Sequence, residues 1–279
     1  RVRRMTDTPI LIVNPRAANG KTLKRLRSIE KELKRSIGAY EIRQTTAQHE
    51  ATILTREALR QGHRWIVAVG GDGTVNEVVN GFFDEAGTPI GEPILSLFPS
   101  GTGGDFRKTW GVGRTAKQAI ERMNHAEPRW MDAGIVRWRD ADGCPQHRFF
   151  ANIATIGLGA RVSDQANRQS KILGGKASFY VASLRALLGW SNIPVSVQVD
   201  DQERVSCMAT TIAMCNGQFF GGGMQCAPHA EPDDGLFDVV FMTDMTRLEI
   251  ARMTSIYKGK HLNHPKVRVT RGRTVTIDY

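Results

Sequence analysis

Two rhythms of apolar residues alternate along the first half of the chain. Residues 10–13, 64–71 and 94–98 carry short apolar runs of the kind that become buried strands, and residues 40–44 read as a further strand. Between the first two, Leu23, Leu26, Ile29, Leu33 and Ile37 recur at helical spacing, and Gly38 stands where a helix C-cap belongs. A second helix is predicted over residues 50–60, and a third begins straight after GGDGT. Strand and helix alternating at this pace predict an α/β N-terminal domain with a doubly wound, mostly parallel sheet. Beyond residue 124 the rhythm changes. MDAGIVRW, RFFANIATIG, VSVQVDD, TTIAMCNG, LFDVVFM, KVRVT and TVTIDY read as strands, interrupted by helices near 177–188 and 247–257. The second domain is therefore expected to be a β-rich sandwich. The boundary is expected at HAEP, giving domains 1–125 and 126–279.

Charge changes this picture more than composition does. Hydrophobic residues make up 41% of 279, which is ordinary, but 38 Lys and Arg against 28 Asp and Glu leave a net +10. Such an excess suits an anionic partner: a nucleotide, a membrane surface or a nucleic acid. No aromatic-plus-basic pattern or helix-turn-helix signal supports nucleic acid. Four cysteines occur with no CxxC pair and no zinc-type Cys/His spacing, which fits a reduced, cytoplasmic protein. No apolar run reaches the roughly 18–20 residues that span a bilayer. The apolar run after RVRRMTDTP stops after four residues, too few for a secretory signal.

The chemistry concentrates in VAVGGDGTVNEVVNG, residues 67–81, where a strand runs into glycines and then a helix. Glycines let backbone N–H groups approach an anion, and a helix N-terminus adds its dipole. Gly70, Gly71 and Gly73 would form the turn. Two familiar phosphate loops fail here. PRAANGKT has Pro15 where a Walker A loop needs its first glycine, and GDGTVN ends on Asn76 where a dinucleotide fingerprint needs glycine. A purely structural turn, with Asp72 capping the following helix, is the alternative.

Further segments carry a resemblance. NPRAANGK (14–21), GGDGTVNEVVNG (70–81), PSGTGGDF (99–106), MDAG (131–134), FANIATIGLGA (150–160), the long block NGQFFGGGMQCAPHAEPDDGLFDVV (216–240) and GKHLNHPKV (259–267) occur in this order. In them the chain resembles the catalytic domain of the diacylglycerol kinase family, which includes sphingosine, ceramide and bacterial lipid kinases. GGDGT is shared with NAD kinases; the NEVVNG extension and the DDGLFDV block favour the lipid kinases. One position departs: the family usually has Asn where this chain has Gly104.

The resemblance implies an ATP- and Mg²⁺-dependent lipid kinase that transfers the γ-phosphate to the hydroxyl of a diacylglycerol-type lipid. The rivals are a kinase of a soluble acceptor such as NAD and a non-catalytic nucleotide-binding regulator. It implies nucleotide contacts at Asn14, Arg16, Thr45, Gly70, Gly71, Asp72, Gly73, Thr74 and Thr102. Asp72 and Asp105 are the candidate catalytic carboxylates. A metal site would use Asp132 and Asp234 through their side chains, and Glu231 and Leu236 through backbone carbonyls. Pro-Asp-Asp-Gly is also good turn chemistry, and both roles can hold at once. The expected setting is cytoplasmic and peripheral to an anionic membrane, and the resemblance admits a homodimer. The apolar stripe in ASFYVASLRALLGW (177–190) would serve either core packing or the lipid cleft. In the family, GKHLNHPKV and two strands precede an Asp-Gly-Glu motif, whereas this sequence ends at TVTIDY. Either the sequence stops short of that motif or the protein has dispensed with it. On either basis this chain is expected to bind ATP and Mg²⁺ but to transfer phosphate poorly, and restoring native C-terminal residues would recover activity in the first case.

Overall fold

The computed structural model describes residues 8–100, 104–168 and 185–279. Two compact units divide at Phe150 and Ala151.

In the first unit, β1 (Ile10–Val13) leads through α1 (Thr22–Ser28) and α2 (Glu30–Ile37) to β2 (Glu41–Gln44). The expected single helix is broken at Ile29, which leaves the helical region at φ −117°, ψ 7°. Then follow α3 (Glu50–Arg60), β3 (Trp65–Gly70), α4 (Asp72–Asn80), β4 (Ile94–Pro99), α5 (Asp105–Thr109) and α6 (Ala116–His125). The four strands pair in parallel, in the order β2-β1-β3-β4. α1, α2 and α6 cover one face; α3 and α4 cover the other. With both faces covered, β1 and β3 are buried along their whole length, which is why they read as unbroken apolar runs. Each such side chain contributes about 1.5–3 kcal/mol of burial. At the edge, β2 is charged and largely exposed, which discourages edge-to-edge pairing.

A hairpin of β5 (Gly134–Arg139) and β6 (Pro145–Phe150) completes this unit. The sequence reading placed it in the second domain. Phe149 ties it to the first, stacking on Phe83 with ring centroids 3.6 Å apart. Asn80, at the end of α4, behaves like a strand edge toward it: its Oδ1 accepts from the Phe149 N–H and its Nδ2 donates to the Phe149 carbonyl, both at 2.9 Å. The run RFFANIATIG, read as one strand, is consequently two, belonging to different units.

The second unit starts with β7 (Ile153–Gly157) and α7 (Leu158–Arg168). It continues with β8 (Ile193–Val199), the long β9 (Val205–Cys215), two-residue β10 (Phe219–Phe220) and β11 (Met224–Gln225), and β12 (Phe237–Thr243). α8 (Arg247–Arg252), β13 (Val267–Gly272) and β14 (Val275–Asp278) close the chain. The antiparallel sheet runs β13-β12-β9-β8-β14, with β7 paired to the C-terminal half of β9. β13 and β14 lie at opposite ends of that order, yet only Arg273 and Thr274 separate them. Three Cα steps reach about 11 Å at most, so the sheet curls until its ends approach. The fold class is as expected: a parallel α/β unit followed by a curled, sandwich-like antiparallel one. Most of the stripe at 177–190 lies outside the described residues. Of its end, Ala186 and Trp190 are buried against Leu158, and Leu188 is exposed.

Candidate functional site

The strand order β2-β1-β3-β4 has its switch point between β1 and β3. The chain leaves β1 toward one face and β3 toward the other, so a crevice opens beyond their carboxyl ends, the usual ligand position in such sheets. Asn14, Thr45 and the Gly70–Thr74 turn lie there, at the carboxyl ends of β1, β2 and β3. The Asn14 N–H donates to the Val69 carbonyl at 3.1 Å, and Asn14 Nδ2 donates to Thr74 Oγ1 at 3.3 Å. Asn14 Oδ1 accepts from the Arg16 N–H at 3.0 Å, which shapes the loop, while the Arg16 side chain is exposed. Thr45, at the end of β2, is buried, and its N–H donates to the Val13 carbonyl at 2.9 Å. Thr102 lies outside the described residues.

The glycine turn divides into two kinds of position. A side chain at Gly70 would drive its Cβ to 2.3 Å from Thr74 Oγ1, so Gly70 is required by the turn itself. Gly73 is different. It lies in the first turn of α4, its backbone has no left-handed demand, and an added Cβ would meet nothing within 4 Å. Nothing in the fold asks for glycine at that position. Glycine also costs a helix interior about 1 kcal/mol relative to alanine, so alanine in this first turn would be tolerated or favoured. What its absent side chain leaves open is the approach to the N-terminal N–H groups of α4.

Asp72 is the first residue of α4, and its carboxylate does not cap α4. Oδ2 accepts from the Gly104 and Asp105 N–H groups, each at 3.0 Å, and Oδ1 accepts from the Phe106 N–H at 3.1 Å. These are the first amides of α5, so one carboxylate latches the PSGTGGDF loop to the glycine turn. Gly104 takes φ +82°, a region open to glycine and, among other residues, most readily to Asn. The departure at this position therefore keeps the backbone conformation that the family residue would adopt. Asp105 is buried and bonded to Lys108 Nζ at 2.7 Å.

Three residues that the sequence reading passed over hold the end of β4 in place. Ser100 donates its N–H to the Gly70 carbonyl at 3.1 Å, Thr22 Oγ1 and Ser100 Oγ lie 3.0 Å apart, and Arg25 donates to the Ser100 carbonyl at 3.1 Å. A cavity of about 360 Å³ adjoins them, lined by Gly70, Gly104, Arg25, Arg107, Arg114 and Thr115 among others. The signal available in the sequence was the arginine spacing on α1 and α5, which amphipathicity alone presents as solvated surface.

The metal residues are distributed differently. Asp132 lies in the first unit, ahead of β5. Glu231, Asp234 and Leu236 lie in the second, in the turn that feeds β12. The Asp234 carboxylate is already occupied: Oδ1 accepts from the Leu236 N–H at 2.9 Å, and Oδ2 pairs with Arg271. Arg271 is placed by strand register, directly opposite Asp238 on β13, and its Nε lies 3.6 Å from Asp238 Oδ1. Burial pushes the Asp238 carboxyl up, against the pull of Arg271. Among the described residues no three His, Cys, Asp or Glu side chains are grouped to hold a metal. The turn as folded thus carries a guanidinium on the oxygen that a Mg²⁺ ion would need, and the residues do not fit a bound ion without moving Arg271.

Comparison with known proteins agrees with both units. Residues 8–136 match the family described as the diacylglycerol kinase catalytic domain, and residues 152–279 match the YegS C-terminal NAD kinase beta sandwich-like domain. A Mycobacterium tuberculosis protein named diacylglycerol kinase is 28% identical over 270 residues, covering 96% of this chain and 84% of its own. A Chromohalobacter salexigens protein named "Probable lipid kinase YegS-like" is 31% identical over 210 residues, 74% of this chain and 63% of its own. A crystal structure of a candidate diacylglycerol kinase from Bacillus anthracis superimposes with a TM-score of 0.74 at 26% identity, covering 98% of this chain and 86% of that one. The chain thus carries a diacylglycerol kinase catalytic domain over residues 8–136 and a YegS-type C-terminal domain over residues 152–279.

Proposed function

We propose that this protein is a lipid kinase that transfers the γ-phosphate of ATP to the hydroxyl of a diacylglycerol-type lipid. The observation that carries this reading is Gly73, a first-turn glycine that the fold does not require and that leaves the α4 N-terminus open at the switch-point crevice. A phosphate chain laid there would accept backbone N–H bonds and meet the positive end of the helix dipole. Asn14, Arg16 and Thr45 would line the nucleotide, and Arg16 would supply a cation. Phosphoryl transfer asks the protein mainly for positioning and charge neutralisation, and a preformed turn latched by Asp72 provides the first. Magnesium would enter with the nucleotide phosphates, since Mg²⁺ keeps several waters and commonly binds through substrate oxygens plus one or two carboxylates. Asp132 is the carboxylate of the first unit proposed for that role, since Asp105 is buried against Lys108.

The lipid acceptor places the protein at a membrane. No helix among the described residues is long and apolar enough to cross one, and the net charge of +10 favours peripheral docking on anionic lipid. Binding to vesicles should rise with anionic lipid content and fall as salt shortens the Debye length below about 8–10 Å. Equal binding to neutral and anionic vesicles would remove electrostatic docking from the account.

The test of function is incubation of the native protein with γ-labelled ATP and Mg²⁺ against diacylglycerol, ceramide, sphingosine and NAD. Label on a lipid hydroxyl supports the proposal. Label on NAD alone would make this a soluble-acceptor kinase, and ATP binding without any transfer would make it a regulator.

A further inference from the structure

Cys215 ends β9 and Cys226 follows β11, and their sulfurs lie 3.8 Å apart in the core of the second unit. Both side chains are fully buried, packed among Ala213, Ala227, Val240 and Met242. Beside them His261 is also buried, at 1% exposure, and neither of its ring nitrogens has a hydrogen-bond partner among the described residues. A buried imidazole without a well-formed hydrogen bond is costly in a core, and the neighbour this one acts on is the Cys226 thiol. Its ring stands near enough to the Cys226 thiol to favour the thiolate. Cys226 is lowered to about 7, first by its hydrogen bond with Cys215 and then by His261, against the opposing effect of burial. Cys215 is pushed upward by burial, so the two thiols are unlike: one inclined to ionise, the other to stay protonated.

We propose that Cys215 and Cys226 are an oxidisable dithiol that closes to an intramolecular disulfide when a peroxide is the oxidant, with His261 as the neighbouring base. In the first step the Cys226 thiolate attacks one peroxide oxygen. An S–O bond forms, the O–O bond breaks, and the departing hydroxide takes up the proton that Cys226 had passed to His261, leaving as water. In the second step the Cys215 sulfur attacks the sulfenic sulfur of Cys226. An S–S bond forms, the S–O bond breaks, and the hydroxyl leaves as water with the Cys215 proton. Two thiols lose two electrons and two protons, and one peroxide becomes two waters.

Closure requires the sulfurs to approach from 3.8 Å to a bonded distance of about 2.05 Å. The approach would fall to Cys226, because few backbone bonds hold its segment. It follows a ladder of only two residue pairs, Phe219 with Gln225 and Phe220 with Met224, and the next backbone bond is a 3.3 Å contact from the Ala227 N–H to the Gln218 carbonyl. A segment held so lightly opens locally at less cost than the whole domain, which also admits a small oxidant. Cys144, by contrast, is exposed and has no cysteine beside it among the described residues, so it serves as an internal control.

The experiment treats the native protein with hydrogen peroxide, quenches in denaturant with iodoacetamide and maps the peptides. The expected result is a Cys215–Cys226 linked peptide in most molecules, with no other cysteine joined to either. Recovery of both as alkylated free thiols after Cys144 is fully oxidised would overturn the proposal, as would disulfides joining them to Cys144 or Cys207. In a Cys144→Ser/Cys207→Ser background, His261→Gln should slow closure about tenfold at neutral pH by lowering the thiolate fraction. An unchanged rate would remove His261 from the site. If that variant does not fold, the peptide map of the native protein decides the proposal alone.

Discussion

Asp72 and Asp234 are both carboxylates in glycine-bearing turns that feed a main element, yet the protein satisfies them by different means. Asp72 is held by three backbone N–H groups of α5, neutral dipoles supplied by a loop. Asp234 is held by a full charge, Arg271, delivered by the register of β12 and β13. The first arrangement leaves the Asp72 carboxylate charged beside the glycine turn, so an anion bound there relies on cations from elsewhere, and Arg25 and Arg107 line the adjoining cavity. The second closes on itself: acid and base cancel within the sheet, and the turn has little to offer a metal. Two acidic motifs that look alike as letters therefore do opposite work.

The comparison can be broken most severely at Asp72. Asp72→Ala leaves three amides at the α5 N-terminus without their acceptor and unlatches the second loop. We expect a stability loss of about 2–3 kcal/mol by urea unfolding and a fall in turnover of at least about a hundredfold. Asp72→Asn keeps the shape, but one of its two positions becomes a donor facing donors, so it should recover only part of either quantity. Normal turnover in a stable Asp72→Asn protein would show that the latch is dispensable.

Arg271 gives the next effect. Because it is about half exposed, its removal should cost only about 1 kcal/mol. The sharper readout is a change in metal response. Without nucleotide, Mg²⁺ should leave the thermal midpoint of the wild type unchanged, and in Arg271→Gln it should raise the midpoint by freeing the Asp234 oxygen. A wild-type midpoint that climbs with Mg²⁺, and ceases to do so in Asp234→Asn, would restore the metal site that the family resemblance implies.

Much of the fold was legible because parallel strands buried on both faces cannot hide: Ile10–Val13 and Trp65–Gly70 announce themselves as unbroken apolar runs. The glycine turn was legible for the same reason, being a place where such a run meets glycines and a helix start. What could not be read depended on pairing across long separations. Nothing local says that Asp72 reaches the amides of residues 104–106, or that Arg271 will stand opposite Asp238. Nor does it say that Asn80 will act as a strand edge for Phe149 and draw the β5–β6 hairpin into the first unit. Cys215 and Cys226 showed no metal or redox spacing, and only the path of the chain between β9 and the loop after β11 brings their sulfurs together.

The smallest effect concerns charge pairing away from both turns. Glu249, in the capping box of α8, is lowered from 4.5 to about 2, first by its bond to Lys266 at 2.9 Å and then by the Thr246 N–H. A depressed carboxylate stabilises the fold above its unfolded value and loses that contribution as pH falls through the folded one. Stability should therefore decline between about pH 4.5 and 2, and Glu249→Gln should flatten that part of the profile. An unaltered slope in the variant would show that Glu249 makes no net contribution.

The most direct measurement is Gly73→Ala, because it separates fold from function at a single methyl group. The account predicts a thermal midpoint equal to or above that of the wild type, since alanine favours the helix by up to about 1 kcal/mol and meets nothing within 4 Å. It predicts at the same time that ATP affinity, measured by calorimetry, falls at least about tenfold, because the methyl stands where the phosphate must approach the α4 amides. Unchanged ATP affinity in the stable variant would contradict the placement of the nucleotide at this turn.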